Sequence, residues 1–82
     1  MNAMQLLVRY DFDAFDAWKE GYDRHAEARG QAGMRQLQLW REGEGSVWGL
    51  YDVSDSDKAA EHLDTLGRME GSVAARHALK TI

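Results

Sequence analysis

The chain has no cysteine and no proline, and its 82 residues contain no long apolar run. Without cysteine, a disulfide framework and a thiolate metal site are both excluded. No apolar segment approaches the roughly 18 residues of a membrane-spanning helix, and the N-terminal residues lack the apolar core of a signal peptide. The lack of proline and the short connections predict one domain over residues 1–82, and we expect a cytoplasmic protein.

Basic residues are scarce relative to acidic ones. Ten Lys and Arg residues stand against 14 Asp and Glu residues, so the net charge is −4. A chain of that sign has no electrostatic attraction for nucleic acid or for an anionic membrane. A domain this small buries only about 60% of its unfolded surface, which predicts that a partner chain contributes to its stability.

The stretch Phe15–Arg29 predicts an amphipathic helix whose inward face is unusual. A structural helix more often carries Leu, Ile or Val on that face. Here the inward positions are Phe15, Trp18, Tyr22, His25, Ala26 and Arg29. Asp13 is predicted to be the N-cap of this helix, and Gly30 and Gly33 are predicted to end it.

Four segments alternate between polar and apolar residues or are rich in β-branched and aromatic residues, as strands are. They are Met4–Tyr10, Met34–Arg41, Ser46–Val53 and, as a short last strand, Arg76–Ile82. A turn rich in glycine joins the second and third strands into a hairpin. A capping cluster over residues 54–57 precedes a second helix, predicted over Lys58–Leu66. The order β-α-β-β-α-β is typical of the α+β class with a ferredoxin-like (split βαβ) fold, an antiparallel sheet with two helices on one face.

Both faces of the predicted sheet are apolar. One parity holds Met4, Leu6, Val8, Trp40, Val47, Tyr51 and Val53, and the other holds Leu7, Leu37, Leu39, Trp48 and Leu50. Because helices cover only one face, we expect a second copy of the chain to cover the other, as a symmetric homodimer. Gly49, in the middle of the third strand, predicts either a bulge or the close approach of a ligand or another chain.

The helical pattern Trp18-x3-Tyr22-x2-His25-x3-Arg29, followed by Gly33 before a strand, resembles the dimeric α/β-barrel superfamily. Within that superfamily it is similar to the small antibiotic biosynthesis monooxygenase-like proteins. The resemblance implies a homodimer whose sheets form a shared barrel, with a small-molecule pocket in each subunit between sheet and helices. The superfamily includes cofactor-independent oxygenases of phenols and quinols, isomerases and haem-degrading enzymes, so the resemblance does not fix the chemistry.

The haem-degrading branch is the weakest match. That branch implies an asparagine in the first strand, a tryptophan in the third strand and a histidine in the second helix. Trp48 and His62 match the last two, but the first strand offers only Gln5, and Asn2 precedes the strand. Haem degradation is therefore the least expected of these activities.

His25 and His62 are the candidate catalytic residues, because imidazole titrates near neutrality and can take a proton from a phenol or an enol. The alternative is that each is a structural histidine bonded to the backbone or to Arg29. Arg29 either clamps a carboxylate or phenolate or complements the C-terminal end of the helix. The candidate substrate-binding residues are Trp18, Tyr22, Arg29, Trp40, Trp48 and Tyr51. No metal-binding spacing of histidines occurs, so we expect no metal and no cofactor.

Two functions remain open at this point. The first is a small enzyme, a cofactor-independent monooxygenase or isomerase of a small aromatic or polyketide-like compound. The second is a non-catalytic dimeric module that binds such a compound or acts as an accessory protein. A pocket open to His25 or His62 favours the enzyme, and a pocket closed onto Trp18 and Tyr22 favours the module.

Overall fold

One antiparallel sheet and three helices make up the fold. A computed structural model describes residues 4–70, 73–80 and 82, without the side chains of residues 67–70. The elements are β1 (Met4–Asp11), α1 (Phe15–Arg24), α2 (Ala26–Gln31), β2 (Met34–Glu42), β3 (Ser46–Val53), α3 (Ser56–Glu70) and β4 (Val73–Lys80). The strands lie in the order β2-β3-β1-β4, and every neighbouring pair is antiparallel. The predicted α+β, ferredoxin-like fold is confirmed.

Three element boundaries differ from the predicted ones. The last strand begins at Val73, and Thr81, which was predicted to belong to it, lies outside the described residues. The last helix continues beyond its predicted end, as far as Glu70. The first predicted helix is divided into α1 and α2 because the backbone at His25, with φ −91° and ψ 10°, leaves helical geometry. No helix in the described part of the chain is long and apolar enough to cross a membrane.

The helix ends depend on a few specific residues. The predicted cap of the last helix is confirmed, because the Lys58 backbone N–H donates to Asp55 Oδ1 at 3.1 Å. The predicted N-cap Asp13 is wrong, since Ala14 occupies that position and no side chain caps the helix. Gly33 follows α2 with φ +75°, and a Cβ there would lie 2.5 Å from Ser54 Oγ. Both the backbone conformation and the lack of space therefore require glycine at position 33.

A β-bulge interrupts the alternation of side chains along β2. Gln36 pairs with Tyr51 of β3, whereas the next paired residue, Gln38, lies opposite Leu50. Leu37 is the extra residue between these two pairs. One extra residue exchanges the inward and outward positions of the rest of the strand.

The bulge overturns the predicted faces of two residues. Leu39 packs against the core on the helix side, and Trp40 lies opposite Trp48 on the other side with 46% of its surface exposed. The prediction that Trp40 shares a face with Tyr51 is therefore wrong. So is the prediction that Leu39 shares a face with Trp48, because strict alternation fails at the bulge.

The hydrophobic core lies between the sheet and the helices. The strands contribute one face of side chains, and α1 and α3 contribute their apolar stripes. The buried apolar residues are Leu6, Val8, Tyr10, Trp18, Tyr22, Ala32, Met34, Val47, Tyr51, Val53, Ala59, Leu63 and Leu66. Along β3, buried and half-buried residues alternate without exception, so this strand separates the core from the opposite face.

The face of the sheet opposite the core has no helix against it in the described part of the chain. Strand register places large apolar side chains next to each other on this face. We call this surface the open face, defined by Leu7, Trp40, Trp48, Leu50 and Leu79. Trp40 and Leu79 are among the exposed large apolar residues of the protein. The open face is therefore an apolar surface that the described residues do not bury.

Candidate functional site

Three tyrosine hydroxyl groups meet inside the core. Tyr51 Oη lies 2.8 Å from Tyr10 Oη and 2.7 Å from Tyr22 Oη. Tyr22 Oη in turn lies 2.7 Å from Gln36 Oε1. We call these four residues the hydroxyl chain. It joins β1, β3, α1 and β2, so one continuous set of hydrogen bonds connects most of the fold.

The hydroxyl chain has a fixed direction. Gln36 Oε1 can only accept, so Tyr22 must donate its one proton to it. Tyr22 then accepts from Tyr51, and Tyr51 accepts from Tyr10. Every hydroxyl proton of the hydroxyl chain therefore points from the core towards the surface residue Gln36.

Burial keeps the tyrosines protonated. Burial is the largest cause that raises the pKa of Tyr10, Tyr22 and Tyr51. For Tyr51, the neighbouring Tyr10 and Tyr22 raise the pKa further. These hydroxyl groups are therefore not bases near neutral pH, and the arrangement is suited to holding the core together.

Gly49 provides the space in which the ring of Tyr51 lies. A Cβ at position 49 would be 2.6 Å from Tyr51 Oη and 2.9 Å from two of its ring carbons. The strand register is continuous through Gly49 on both sides, so the predicted bulge is not at this residue. The close neighbour of Gly49 is therefore the side chain of Tyr51, two residues further along β3.

Aromatic rings fill the space beside the hydroxyl chain. Trp18 is stacked between Phe12 and Tyr22, with ring centroids 5.0 Å away on each side. Tyr10 also contacts Trp18, with centroids 5.3 Å apart. Trp18 and Tyr22, two of the candidate substrate-binding residues, are thus packed against each other and against further rings.

The sheet separates the candidate substrate-binding residues into two groups. Trp18, Tyr22, Arg29 and Tyr51 lie on the helix side, whereas Trp40 and Trp48 lie on the open face. Trp48 Nε1 donates to Glu42 Oε1 at 2.7 Å. These six residues therefore cannot line one pocket within a single chain, because the sheet lies between the two groups. The same separation applies to Trp48 and His62, the two residues that matched the haem-degrading pattern.

Arg29 is a buried cation, with only 7% of its surface exposed. Its Nη1 donates to the carbonyl oxygen of Tyr22 at 2.6 Å, and its Cζ lies 3.6 Å from the centroid of the Tyr22 ring. Tyr22 belongs to the last turns of α1, so Arg29 does complement a helix C-terminal end, that of the preceding helix. None of the carboxylates that the structure describes forms an ion pair with Arg29.

His25 occupies the junction between α1 and α2. Its Nδ1 lies 2.7 Å from the carbonyl oxygen of Gly21, an acceptor, so Nδ1 carries the proton. Its own carbonyl oxygen accepts from the Arg29 backbone N–H at 2.9 Å and begins the second helix. These bonds support the structural alternative for His25.

His62 lies half-buried on α3, and its environment is different. Its Nε2 is fully covered and has no hydrogen-bond partner in the described part of the chain. Burial lowers the pKa of His62, and the nearby Arg29 and His25 lower it further. His62 is therefore a neutral imidazole close to a buried cation, and the structure brings His25, Arg29 and His62 into one region. No three His, Cys, Asp or Glu side chains among the described residues gather where they could hold a metal ion.

Comparison with known proteins supports the fold. No family model matches the sequence, and no curated protein matches it. Among solved structures, the chain is similar to the C-terminal domain of the MgtC protein from Mycobacterium tuberculosis, with a TM-score of 0.59. The alignment covers 99% of this chain and 88% of that one, at 9% sequence identity. At that identity, the likeness shows the ferredoxin-like fold alone.

Two members of the hydroxyl chain were not predicted as site residues. Tyr10 ends an alternating strand, and its position alone does not show what its hydroxyl group contacts. Gln36 gives a clearer signal, because it is a polar residue that shares the parity of buried Met34. A polar residue at an inward position usually has a buried partner.

The stability of the protein should depend on pH through His62. Its pKa in the folded chain lies below the ordinary value of 6.5, so the unfolded chain binds more protons as the pH falls through that value. We expect the Tm of the wild type to fall more between about pH 7.5 and about pH 5.5 than that of His62→Gln. Ala17→Gln, at an exposed position of α1, changes no titratable group, and as the control it should behave as the wild type does. Equal losses in the wild type and in His62→Gln would contradict this assignment.

Proposed function

We propose that the protein is a homodimeric small-molecule-binding or accessory module of the antibiotic biosynthesis monooxygenase-like kind. Two copies pair through their open faces and form the shared barrel of the dimeric α/β-barrel superfamily. The observation that carries the proposal is the open face itself, an apolar surface in a chain too small to leave one exposed without a partner. The ligand binds on the helix side of each subunit.

The charges of the open face suit a second copy of the same surface. Arg9 and Asp11 pair at 3.2 Å, and Arg35 and Asp52 pair at 2.8 Å. Because these charges are neutralised within the chain, two such faces can meet without the repulsion that a net charge of −4 otherwise produces. The guanidinium of Arg9 also lies 5.8 Å from the centre of the Trp48 ring, which keeps that charge at the surface of the sheet.

The area of the open face is also sufficient. Four strands at about 4.8 Å spacing, each rising about 3.3 Å per residue, present about 500 Å² on each copy. A pair would then bury about 1,000 Å², the lower limit for a specific interface.

The packing on the helix side favours a binding module over an enzyme. Trp18 and Tyr22 are closed onto each other, the three tyrosines bond to one another, and His25 is bonded to the backbone. These groups are engaged in contacts within the protein, so they are not available to act on a substrate. What remains for a ligand is the region of Arg29 and His62.

Leu50→Lys should convert the dimer into a monomer. Leu50 lies in the third strand opposite Leu7, near the middle of the open face, so a lysine there would place an uncompensated charge in the interface. Sedimentation equilibrium at micromolar concentration should report twice the chain mass for the wild type and a single chain mass for the variant.

Ala17→Lys is the matched control for this experiment. It adds the same charge at an exposed position of α1, away from the open face, and should remain a dimer. A folded, stable wild-type monomer at that concentration would disprove the shared-barrel arrangement.

The second candidate is a cofactor-independent monooxygenase or isomerase of a small aromatic or polyketide-like compound. The observation in its favour is the neutral imidazole of His62 beside the cation of Arg29. A base and a cation at one position can take a proton from a phenol and stabilise the phenolate. The Nδ1 of His25 is bonded to the backbone, so His62 is the base in this second candidate.

A ligand screen distinguishes the two candidates. Phenols, quinols and haem are tested by absorbance, by binding and by oxygen uptake. Binding without turnover supports the module. Turnover that falls by about 10²–10⁴-fold in His62→Gln, and is unchanged in Ala17→Gln at an exposed position of α1, supports the enzyme instead.

A further inference from the structure

The buried guanidinium of Arg29 forms no ion pair with a carboxylate of the described residues. Arginine is among the residues that are almost never fully buried unless they are paired. Arg29 has 7% of its surface exposed. Within the described part of the chain, its guanidinium contacts the Tyr22 carbonyl and the Tyr22 ring. Only one of the five N–H groups of the guanidinium is used in that hydrogen bond.

A buried polar atom without a partner among the described residues lies in the same region. The Nε2 of His62 is covered by protein and has no partner among the described residues. A buried polar atom without a partner is destabilising and calls for an explanation in a native fold. Helices α2 and α3, which carry these two side chains, pack against each other.

We propose that Arg29 and His62 form a binding site for the carboxylate group of a small molecule, between α2 and α3. The carboxylate accepts from guanidinium N–H groups of Arg29 other than the one bonded to the Tyr22 carbonyl, and from the imidazole N–H of His62. This inference rests on the proposed binding role of the protein, but it does not depend on dimerisation. It assigns the ligand class that the proposed function leaves open.

The charge of the site selects a carboxylate over a phosphate. Arg29 contributes one permanent positive charge, and His62 is neutral near pH 7 because burial and the nearby charge of Arg29 disfavour the protonated ring. A single charge balances a monoanion such as a carboxylate, whereas a large share of inorganic phosphate is a dianion near that pH. The flat guanidinium also matches the two oxygens of a carboxylate.

The stacked Tyr22 ring holds the guanidinium in a fixed plane. With Cζ 3.6 Å from the ring centroid and Nη1 bonded to the same residue's carbonyl, the group has little rotational freedom. A donor that is already oriented loses less conformational entropy when it binds.

Sodium benzoate is the probe for this site. In an NMR titration near pH 7.5, the imidazole resonances of His62 should shift with saturation, and the pKa of His62 should rise because an anion lies next to it. His77 is the internal control and should not move, because it lies on the open face, on the other side of the sheet from the site. The same titration with inorganic phosphate, at matched ionic strength, should give at least about tenfold weaker binding.

Arg29→Lys tests the geometry of the site because it keeps the charge and removes the flat pair of donors. We expect the affinity for benzoate to fall about tenfold or more. Arg24→Lys is the matched control at an exposed position of α1, where the arginine pairs with Glu20 at 3.3 Å, and should bind as the wild type does. His62→Gln, at a half-buried position, is the second variant and should also lose affinity if Arg29→Lys does not fold.

The inference is overturned if benzoate causes no saturable shift of His62 in the wild type. It is also overturned if phosphate binds as tightly as benzoate, or if His62→Gln folds and binds benzoate normally. Sedimentation of the same samples separates this result from the proposed function. A dimer without benzoate binding rejects the carboxylate site alone, and a monomer that binds benzoate rejects the dimer alone.

Discussion

Gly49→Ala should lower the free energy of unfolding by about 2–4 kcal/mol, because it forces an extra methyl group into a filled core and disturbs the hydrogen bonds beside it. The new Cβ would lie 2.6 Å from Tyr51 Oη. Tyr51 cannot move away freely, since it is completely buried and its hydroxyl group is bonded on two sides. Urea denaturation measures the loss. Gly30→Ala is the matched control, because a Cβ there meets nothing within 4 Å and should leave the stability equal or higher.

A double-mutant cycle shows whether the ring of Tyr51 is the cause. In a Tyr51→Leu background the ring is absent, so adding Gly49→Ala should be less destabilising than in the wild type. Equal losses in both backgrounds would show that backbone conformation, and not the ring, requires glycine at this position.

Tyr51→Phe should lower the free energy of unfolding by about 2–3 kcal/mol. The change removes two hydrogen bonds and leaves the buried Tyr10 hydroxyl with a proton and no acceptor. Tyr10→Phe is the comparison, because Tyr10 lies at the donor end of the hydroxyl chain. Its loss leaves no other hydroxyl proton without an acceptor. We expect that variant to lose about 1 kcal/mol. Equal losses for the two variants would contradict the direction assigned to the chain.

The fold could be predicted because its signals are local. The alternation of the strands, the glycine-rich turn of the hairpin and the Asp55 cap are each contained in a few neighbouring residues. The order of elements then leaves few ways to arrange an antiparallel sheet. The MgtC C-terminal domain, at 9% identity, shows that very different sequences can reach the same arrangement.

The bulge and the helix junction could not be predicted from such signals. The residues around Leu37 alternate as well as those of an unbroken strand, and only their pairing with Tyr51 and Leu50 shows the extra residue. At His25, no glycine or proline marks the end of the first helix. The bond from His25 Nδ1 to the Gly21 carbonyl forms at this junction and is visible only in three dimensions.

Only the part of the candidate site that depends on local spacing could be predicted from the sequence. Helical spacing placed His25 and Arg29 on one face, and the structure brings His62 of the last helix to that region. The hydroxyl chain depends on contacts between distant residues, such as Tyr10 and Tyr51, which are 41 positions apart. No local pattern reports such a pair, because it exists only once the strands are in register.

Gln36 has an evolutionary consequence that its exposed position on β2 does not suggest. If its amide turned so that nitrogen faced Tyr22, every hydroxyl proton behind it would have to reverse, and Tyr10 would be left pointing a proton at no acceptor. Substitutions at position 36 should therefore be restricted as they are in a protein core, although the residue is exposed. Glutamate preserves the order of the protons, whereas lysine or arginine, which can only donate, should be selected against in related sequences.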